Sequence, residues 1–220
     1  MWVRFPPPAL ENRLDILSIW SIYAEVKGRG EKRQQRAEIL NRAAIVFTAA
    51  CWETFVEDLA VEAFDFMLAH APTPDVIPMR VRTLDTKHLR DDKDERKIWA
   101  LAGSGWRETR QSHRGAVIAR WTTDFHTPRP DRVRDLFTAL LDVPDITSHW
   151  HWTDVPTVEA VAKLDEYLDI RGNISHRTKH STAVYKSWVK GFVSHVARLV
   201  DLTDRAVEAH VKRLTGKPPW

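Results

Sequence analysis

The stretch LDEYLDIRGNISHRTKH, residues 164–180, joins an apolar-periodic segment to a cluster of cationic and hydrogen-bonding side chains. Val158, Val161, Leu164 and Leu168 recur at steps of three and four residues, which predicts a helix with one buried stripe. The polar cluster follows directly and comprises Arg171, Asn173, Ser175, His176, Arg177, Lys179 and His180. Arginine can hold a phosphate while a nearby histidine moves a proton, so this segment is the candidate phosphate-handling site.

The spacing within this segment sets a condition on the site. On an ideal helix five residues turn through about 500°, which leaves Arg171 and His176 roughly 140° apart around the axis. Asn173 and His176, three residues apart, share a face. We therefore expect a kink or a helix end at Gly172, or a second chain that brings paired arginine and histidine groups together across a symmetry axis.

The composition is that of a folded globular protein: 220 residues, of which 43% are hydrophobic and 29% charged. We expect a single domain over residues 1–220, with its core at 33–214 and a connecting insertion at 72–125. The net charge of +3 and the pI of about 9.1 permit a nucleic-acid partner. A lone cysteine, Cys51, predicts a reducing compartment, and no apolar run reaches the length of a membrane span. These features predict a cytoplasmic protein without a membrane partner.

The periodicity of the apolar residues predicts helices, and no sustained period-two pattern predicts strands. Helices are expected at about 10–27, 32–70 and 131–141, from 157 through the quoted stretch, and at 182–214. Residues 106–125 are expected to form one helix or a pair of helices, and 72–97 a connecting excursion. Asp131 and Thr157 are the expected N-caps of their helices. The run AAIVFTAACW, residues 43–52, is apolar on nearly every side, which places it in the middle of a bundle. The last helix is expected to bury Tyr185, Trp188, Val189, Phe192, Val196, Leu199 and Val207. The predicted fold class is an all-α helical bundle.

Two glutamates, Glu53 and Glu57, lie one helical turn apart directly after the apolar run. Two interpretations remain open for them. They form a solvated edge of the helix, or one of them reaches the cationic cluster and orients Arg171.

Histidine pairs at metal-ligand spacing occur twice. His176 and His180 are one helical turn apart, but the residues between them supply two cations and no glutamate. His149 and His151 alternate with tryptophans and have no acidic or cysteine neighbour in sequence. The patterns favour neither pair as a metal site, and we expect no metal and no cofactor.

The segment LDEYLDIRGNISHR, residues 164–177, resembles the signature of HEPN domains, in particular the RiboL-PSP-HEPN family of bacterial helical domains. Two further stretches are similar to that family: LNRAAIVFTAACWETFVEDLAVEA at 40–63, which resembles its long helix, and DFHTPRPDRVRDLFTALLDV at 124–143, which resembles its middle turn and helix. Together they cover most of residues 33–200 in the family's order. Gly172 departs from the pattern, because many members have a polar residue directly after the arginine.

The resemblance implies a helical bundle that is usually dimeric, with the motif's arginine and histidine at the dimer cleft. It also implies metal-independent endoribonuclease activity, often in toxins or abortive-infection effectors against phage. Residue by residue, Arg171 takes the place of the motif's arginine, Asn173 of an internal polar position and His176 of its histidine. Arg177 and Lys179 would add contacts to the RNA backbone. A cognate antitoxin or regulatory protein is a further expected partner.

Three hypotheses follow. The first is an endoribonuclease in which the ribose 2′-hydroxyl attacks the adjacent phosphate, with His176 transferring protons and Arg171 neutralising the developing charge. The second is a non-catalytic dimer of the same type that binds RNA, a nucleotide or a partner protein. The third is a structural bundle in which His176 is a satisfied core or capping residue.

Overall fold

The computed structural model describes residues 31–91, 93–176 and 183–220, and these form helices joined by short turns. Six α-helices are described, labelled in chain order: α1 Glu31–His70, α2 Met79–Arg90, α3 Gly105–Thr122, α4 Pro130–Leu141, α5 Thr157–His176 and α6 Lys186–Thr215. Short 3-10 helices lie at Pro74–Val76, Glu95–Leu101 and Ile146–His149. No strand occurs within these ranges, and a single antiparallel bridge joins Trp152 to Val155. The all-α prediction is confirmed; the helix predicted at 10–27 lies outside the described residues.

The long helix α1 matches its prediction closely, because residues 32–70 contain neither proline nor glycine. The prediction that its apolar run is covered on every side was wrong. Ile45, Ala49 and Trp52 are buried, whereas Phe47 is 42% exposed and Ala50 is also exposed. The run therefore has one buried face and one partly open face.

The chain divides into two compact units. The first comprises the described residues of Met1–Val56, Thr127–Pro130 and Thr147–Thr203. Its core contains two fully buried tryptophans in edge-to-face contact, Trp52 and Trp150, with ring centroids 5.8 Å apart. The Trp52 indole N–H donates to the carbonyl of Pro128 at 3.0 Å, and that of Trp150 to the Thr203 hydroxyl at 2.9 Å. Both indoles are thus buried without an unpaired donor.

The second unit comprises Glu57–His126, Asp131–Ile146 and Asp204–Trp220. Its core includes Phe64, Met67, Ile77, Leu136, Phe137 and Leu140. Arg107 donates to the carbonyl of Ala71 at 2.9 Å, and the His210 imidazole bonds the carbonyl of Leu141 at 2.8 Å. These bonds to backbone carbonyls close the turns that follow α1 and α4.

The connecting excursion predicted at 72–97 contains a helix, α2, that the sequence reading missed. Three prolines before it pointed to irregular structure, but Pro78 immediately precedes the first helical residue, Met79. Proline is well tolerated at the start of a helix, because its fixed φ suits the first turn and the N–H it lacks would be unbonded there. The same reasoning corrects α4, which begins at Pro130 and places Asp131 in its first turn instead of at its cap.

Helix boundaries and faces differ from prediction at three further points. The helix α5 begins at Thr157, with the Ala160 N–H bonded to the carbonyl of Pro156, so Pro156 occupies the cap position expected for Thr157. The helix α6 begins at Lys186, four residues later than expected, and Tyr185 before it is 58% exposed instead of buried.

None of the described helices combines the length and the hydropathy that crossing a lipid bilayer requires.

Candidate active site

The candidate motif occupies the C-terminal end of α5, in the first unit. Buried residues upstream are Ala160, Leu164, Tyr167 and Leu168, so the helix is anchored along one stripe. Val158, which was expected in that stripe, is 80% exposed. Of the motif residues whose side chains are described, Arg171 is half-buried, and Asn173 and Ser175 are exposed. His176 is the last residue of α5, and its side chain lies outside the described part of the structure.

The helix does not end at Gly172, as one of the expectations held, but continues to His176. Its twenty residues therefore place Arg171 and His176 on different sides of the axis, roughly 140° apart by ideal geometry. A Cβ atom added at Gly172 would meet nothing within 4 Å. Packing thus does not impose glycine at this position, and a polar side chain would fit there.

The stretch of α5 one turn before Arg171 is fixed by an aromatic contact with α6. Tyr167 stacks on Phe192 with ring centroids 4.5 Å apart. Gly191 makes room for this contact: a Cβ there would lie 3.6 Å from the Tyr167 ring carbon that carries the hydroxyl, and closer still to the hydroxyl oxygen itself. Because Tyr167 and Arg171 are four residues apart on one helix face, the contact also sets the position of Arg171.

A buried histidine makes the second connection between α5 and α6. The His195 imidazole Nε2 bonds the carbonyl of Ala160 at 3.0 Å, and its ring packs against Trp152 and Tyr167. Burial lowers the pKa of His195, and the positive charge of Lys163 lowers it further, against the raising effect of the backbone bond. Burial also raises the pKa of Tyr167. The His195 imidazole is accordingly neutral at pH 7, and Nε2 carries the proton as the donor.

Arg129 connects the turn before α4 to the outer face of α5. Its guanidinium pairs with Asp165 at 3.0 Å and also with Asp169, which lies one turn further along α5. The two carboxylates are four residues apart, so one planar guanidinium can bridge them. Asp169 is two residues before Arg171, which makes this bridge the nearest described ion pair to the motif in sequence.

The segment after the motif is fixed at its far end by α1. The buried Asn41 side chain donates to the carbonyl of Val184 at 2.7 Å. Val184 is itself buried and precedes α6 by two residues. Arg177 and Lys179, the predicted substrate-binding residues, fall in 177–182, outside the described residues. The described residues on either side of that range are His176 and Ala183.

The predicted supporting glutamates lie on α1 and are both half-buried. Glu53 belongs to the first unit together with the motif, whereas Glu57 is the first residue of the second unit. That one of them orients Arg171 stays a prediction.

The two histidine pairs differ in their settings. His149 and His151 are exposed on either side of the buried Trp150, and His151 bonds the carbonyl of Ser148 at 3.2 Å. His180, the partner of His176 in the other pair, lies outside the described residues. Within the described ranges no group of three or more His, Cys, Asp or Glu side chains could hold a metal ion.

Sequence reasoning identified the motif but missed the residues that hold it. Asn41, Arg129, Tyr167 and His195 act through partners up to 143 residues away in sequence, and no local pattern reveals such pairings. One feature of the sequence indicated such residues: polar or ionisable side chains within otherwise apolar helical stretches. When such a side chain is buried, it needs a hydrogen-bond partner.

Comparison with known proteins gives one match. The model of the RiboL-PSP-HEPN family matches residues 9–209, which include the motif and five of the six described helices in full. No curated protein matches the chain, and no solved structure does. Because the match covers most of the chain and agrees with an all-α structure that carries the motif at a helix end, the chain belongs to the RiboL-PSP-HEPN family.

Proposed function

We propose that the protein is a metal-independent endoribonuclease that cleaves RNA through attack of a ribose 2′-hydroxyl on the adjacent phosphate. The observation that carries the proposal is that Arg171 and His176 belong to the last turns of a firmly anchored helix, where Asn173 and Ser175 are exposed, within the residues that match the family. A rigid support with a surface-accessible end suits a site that must admit a polymer. The coarser conclusion, an RNA-related role, needs family membership alone.

In the proposed reaction His176 acts as general base and removes the proton of the 2′-hydroxyl. The 2′-oxygen forms a bond to phosphorus, the bond to the 5′-oxygen breaks, and a general acid gives that oxygen a proton. The products are a 2′,3′-cyclic phosphate and a 5′-hydroxyl, so no water is consumed in this step. Arg171 stabilises the charge that develops on the phosphorane oxygens, and Asn173 positions the phosphate or ribose.

A homodimer supplies the second proton-transferring group. Because α5 continues unbroken through Gly172, one copy presents Arg171 and His176 on different sides of the helix. Two copies related by a two-fold axis can place these groups around one phosphodiester, with one His176 as base and the other as acid. We further propose a toxin or abortive-infection effector in the cytoplasm, restrained by a cognate antitoxin or regulatory protein.

The test is cleavage of labelled RNA in EDTA by the purified chain. Arg171→Ala and His176→Ala should each reduce the rate by at least about a hundredfold, as loss of an acid–base or charge-stabilising group does. The matched controls are Arg198→Ala and His151→Ala, which remove the same side chains from exposed positions of the same unit. Products should carry cyclic-phosphate ends, and a strand with 2′-deoxyribose at the cleaved position should resist.

A second candidate is a non-catalytic dimer that binds RNA or a partner protein, and Gly172 is the feature that favours it. If the wild-type chain binds RNA without cleaving it, the nuclease proposal is wrong and this candidate stands. Since the space beside Gly172 is open, Gly172→Ser would restore a polar residue without a clash. If the Gly172→Ser variant cleaves RNA and the wild type does not, Gly172 is the cause of the wild type's inactivity. If Arg171→Ala and His176→Ala change neither RNA binding nor RNA cleavage, the two residues have only a structural role.

A further inference from the structure

The second unit has a basic surface that the motif does not use. The helix α2 contains four cations, Arg80, Arg82, Lys87 and Arg90, and a single acidic residue, Asp85. The helix α3, which packs against it, contains four arginines and one glutamate. Arg110 is buried and Arg114 pairs with Asp65, so Arg107 and Arg120 are the exposed arginines of α3. Both helices belong to the region 72–125 that the sequence predicted as an insertion.

One face of α2 lines an open groove of about 510 Å³. Three cations line it, Arg82, Lys87 and Arg90, together with the hydroxyls of Thr83 and Thr86 and one carboxylate, Asp91. These side chains recur at steps of three and four residues and so form a continuous stripe. Lys87 and Arg90 are exposed, so an anionic ligand can reach their charges.

Arg82 and the threonines give the groove a defined chemistry. The Arg82 guanidinium is paired with Asp75 at 3.1 Å, but the Asp75 side chain is 86% exposed, so a phosphate can compete for the arginine. Thr83 and Thr86 each donate a hydrogen bond to the carbonyl four residues earlier. Their oxygens therefore keep lone pairs that can accept a hydrogen bond, for example from a ribose 2′-hydroxyl.

Aromatic rings lie on the elements that pack against α2, beside cations other than the three that line the groove. Trp99, on the 3-10 helix Glu95–Leu101 that packs against α2 and α3, is 76% exposed. The Arg107 guanidinium lies 4.3 Å from the centre of the Trp106 ring, and the Arg80 guanidinium lies 5.8 Å from that of Trp121. Cations that track a backbone beside rings on which bases can stack are the features that bind single-stranded nucleic acid.

We propose that the groove of α2, together with Trp99, is a second RNA-binding surface that holds the phosphate backbone of a single strand. This proposal rests on the proposed function in one respect, that the ligand is RNA. Lys87 and Arg90 contact phosphates, Thr83 and Thr86 accept from ribose hydroxyls, and Trp99 stacks on a base. An acidic protein would also suit the cations, but it would make no use of an exposed indole as a stacking platform.

The test is the affinity of a labelled single-stranded RNA, measured by fluorescence anisotropy in a His176→Ala background so that the strand is not consumed. Lys87→Glu with Arg90→Glu should weaken binding at least tenfold. The slope of log affinity against log salt should become shallower by about 1.4, since each phosphate contact to a single strand contributes about 0.7. The matched control is Arg132→Glu with Arg205→Glu, which makes the same charge change at exposed positions elsewhere in the second unit.

Trp99 is tested separately from the charges. Trp99→Ala should weaken binding about tenfold, as loss of a stacking ring does. Ile98→Ala, at a neighbouring apolar side chain that is 50% exposed, should change the affinity less than about twofold. Thermal melting of each variant shows that the fold is retained.

The outcomes separate this surface from the nuclease. If the groove variant and its control bind RNA with equal affinity, the groove is not an RNA-binding surface; this result is expected if an acidic protein is its ligand. It would not affect the interpretation of RNA cleavage by the wild type. A wild-type chain that binds RNA through Lys87, Arg90 and Trp99 but never cleaves it supports the surface and overturns the nuclease. A chain that binds no RNA at low salt overturns the surface.

Discussion

His195 is the buried imidazole through which we expect pH to affect the packing of α5 against α6. It is 7% exposed, bonds the carbonyl of Ala160 and contacts two aromatic rings. Its cationic form would need hydration that the site does not provide, while the neutral form keeps the bond to Ala160. The structure therefore stabilises neutral His195, and Lys163, which stands over the Tyr167 ring at 5.2 Å, acts in the same direction.

The first prediction concerns the pH dependence of stability. Since the folded chain lowers the pKa of His195 below its ordinary value of about 6.5, the unfolded chain binds a proton that the folded chain does not. The contribution of His195 to the free energy of unfolding is complete above about pH 7 and declines as the pH falls below 6.5. Urea unfolding of the wild type and of His195→Gln should show the wild type losing more stability between pH 7.5 and 5.5.

The control for that measurement is His149→Gln, which removes an exposed imidazole of the same unit. Its unfolding free energy should follow that of the wild type across the same pH range. A wild type and a His195→Gln variant with parallel pH profiles would contradict the assignment of a lowered pKa to His195.

At the level of elements, the approach of α5 to α6 depends on a residue without a side chain. Gly191 lies opposite Tyr167, whose ring stacks on Phe192 and is buried. Of Gly103, Gly115, Gly172, Gly191 and Gly216, only Gly191 has a position at which an added Cβ would meet another residue within 4 Å. The same contact lies one helical turn before Arg171, so the packing of the two helices and the position of the motif are linked.

The second prediction is that Gly191→Ala destabilises the fold by about 1–3 kcal/mol, because the methyl group overlaps the Tyr167 hydroxyl in a packed interface. Gly115→Ala, inside α3 with open space around its Cβ, should instead stabilise by about 0.5–1 kcal/mol, as glycine replacement in a helix does. Tyr167→Phe should recover part of the loss in the Gly191→Ala background. Urea unfolding measures the stability of these three variants and of the wild type. If Gly191→Ala and Gly115→Ala change the free energy of unfolding equally, Gly191 does not lie in close contact with the Tyr167 hydroxyl.

At the level of the whole molecule, the open question is how one phosphodiester meets both Arg171 and His176. An unbroken α5 separates the two residues around its axis, which is why we propose that a second copy completes the site. Activity should then depend on assembly and not on the amount of protein alone.

The third prediction is that specific ribonuclease activity falls on dilution in step with the fraction of dimer. Sedimentation velocity over the same concentration range measures that fraction. Dilution into buffer that contains an unrelated carrier protein supplies the control for adsorption and simple loss of protein. A specific activity that stays constant while the dimer dissociates would show that one copy forms the site.

The sequence by itself determined the helical class, the extent of α1 and the position of the motif. These follow from local causes: the absence of proline and glycine over 32–70, and the apolar recurrence that runs up to Arg171. The similarity at 40–63 and 164–177 also sufficed to indicate the family that the match over 9–209 established.

Only the tertiary structure decided which side of each helix is covered and what holds the motif in place. The exposure of Phe47, Val158 and Tyr185 depends on whether another element lies against that side, and periodicity carries no information about it. The Asn41 bond to Val184 and the Gly191 approach to Tyr167 join residues distant in sequence or on separate helices. A single sequence records propensities that act over a few residues, whereas these contacts arise when the helices pack and buried polar groups find partners.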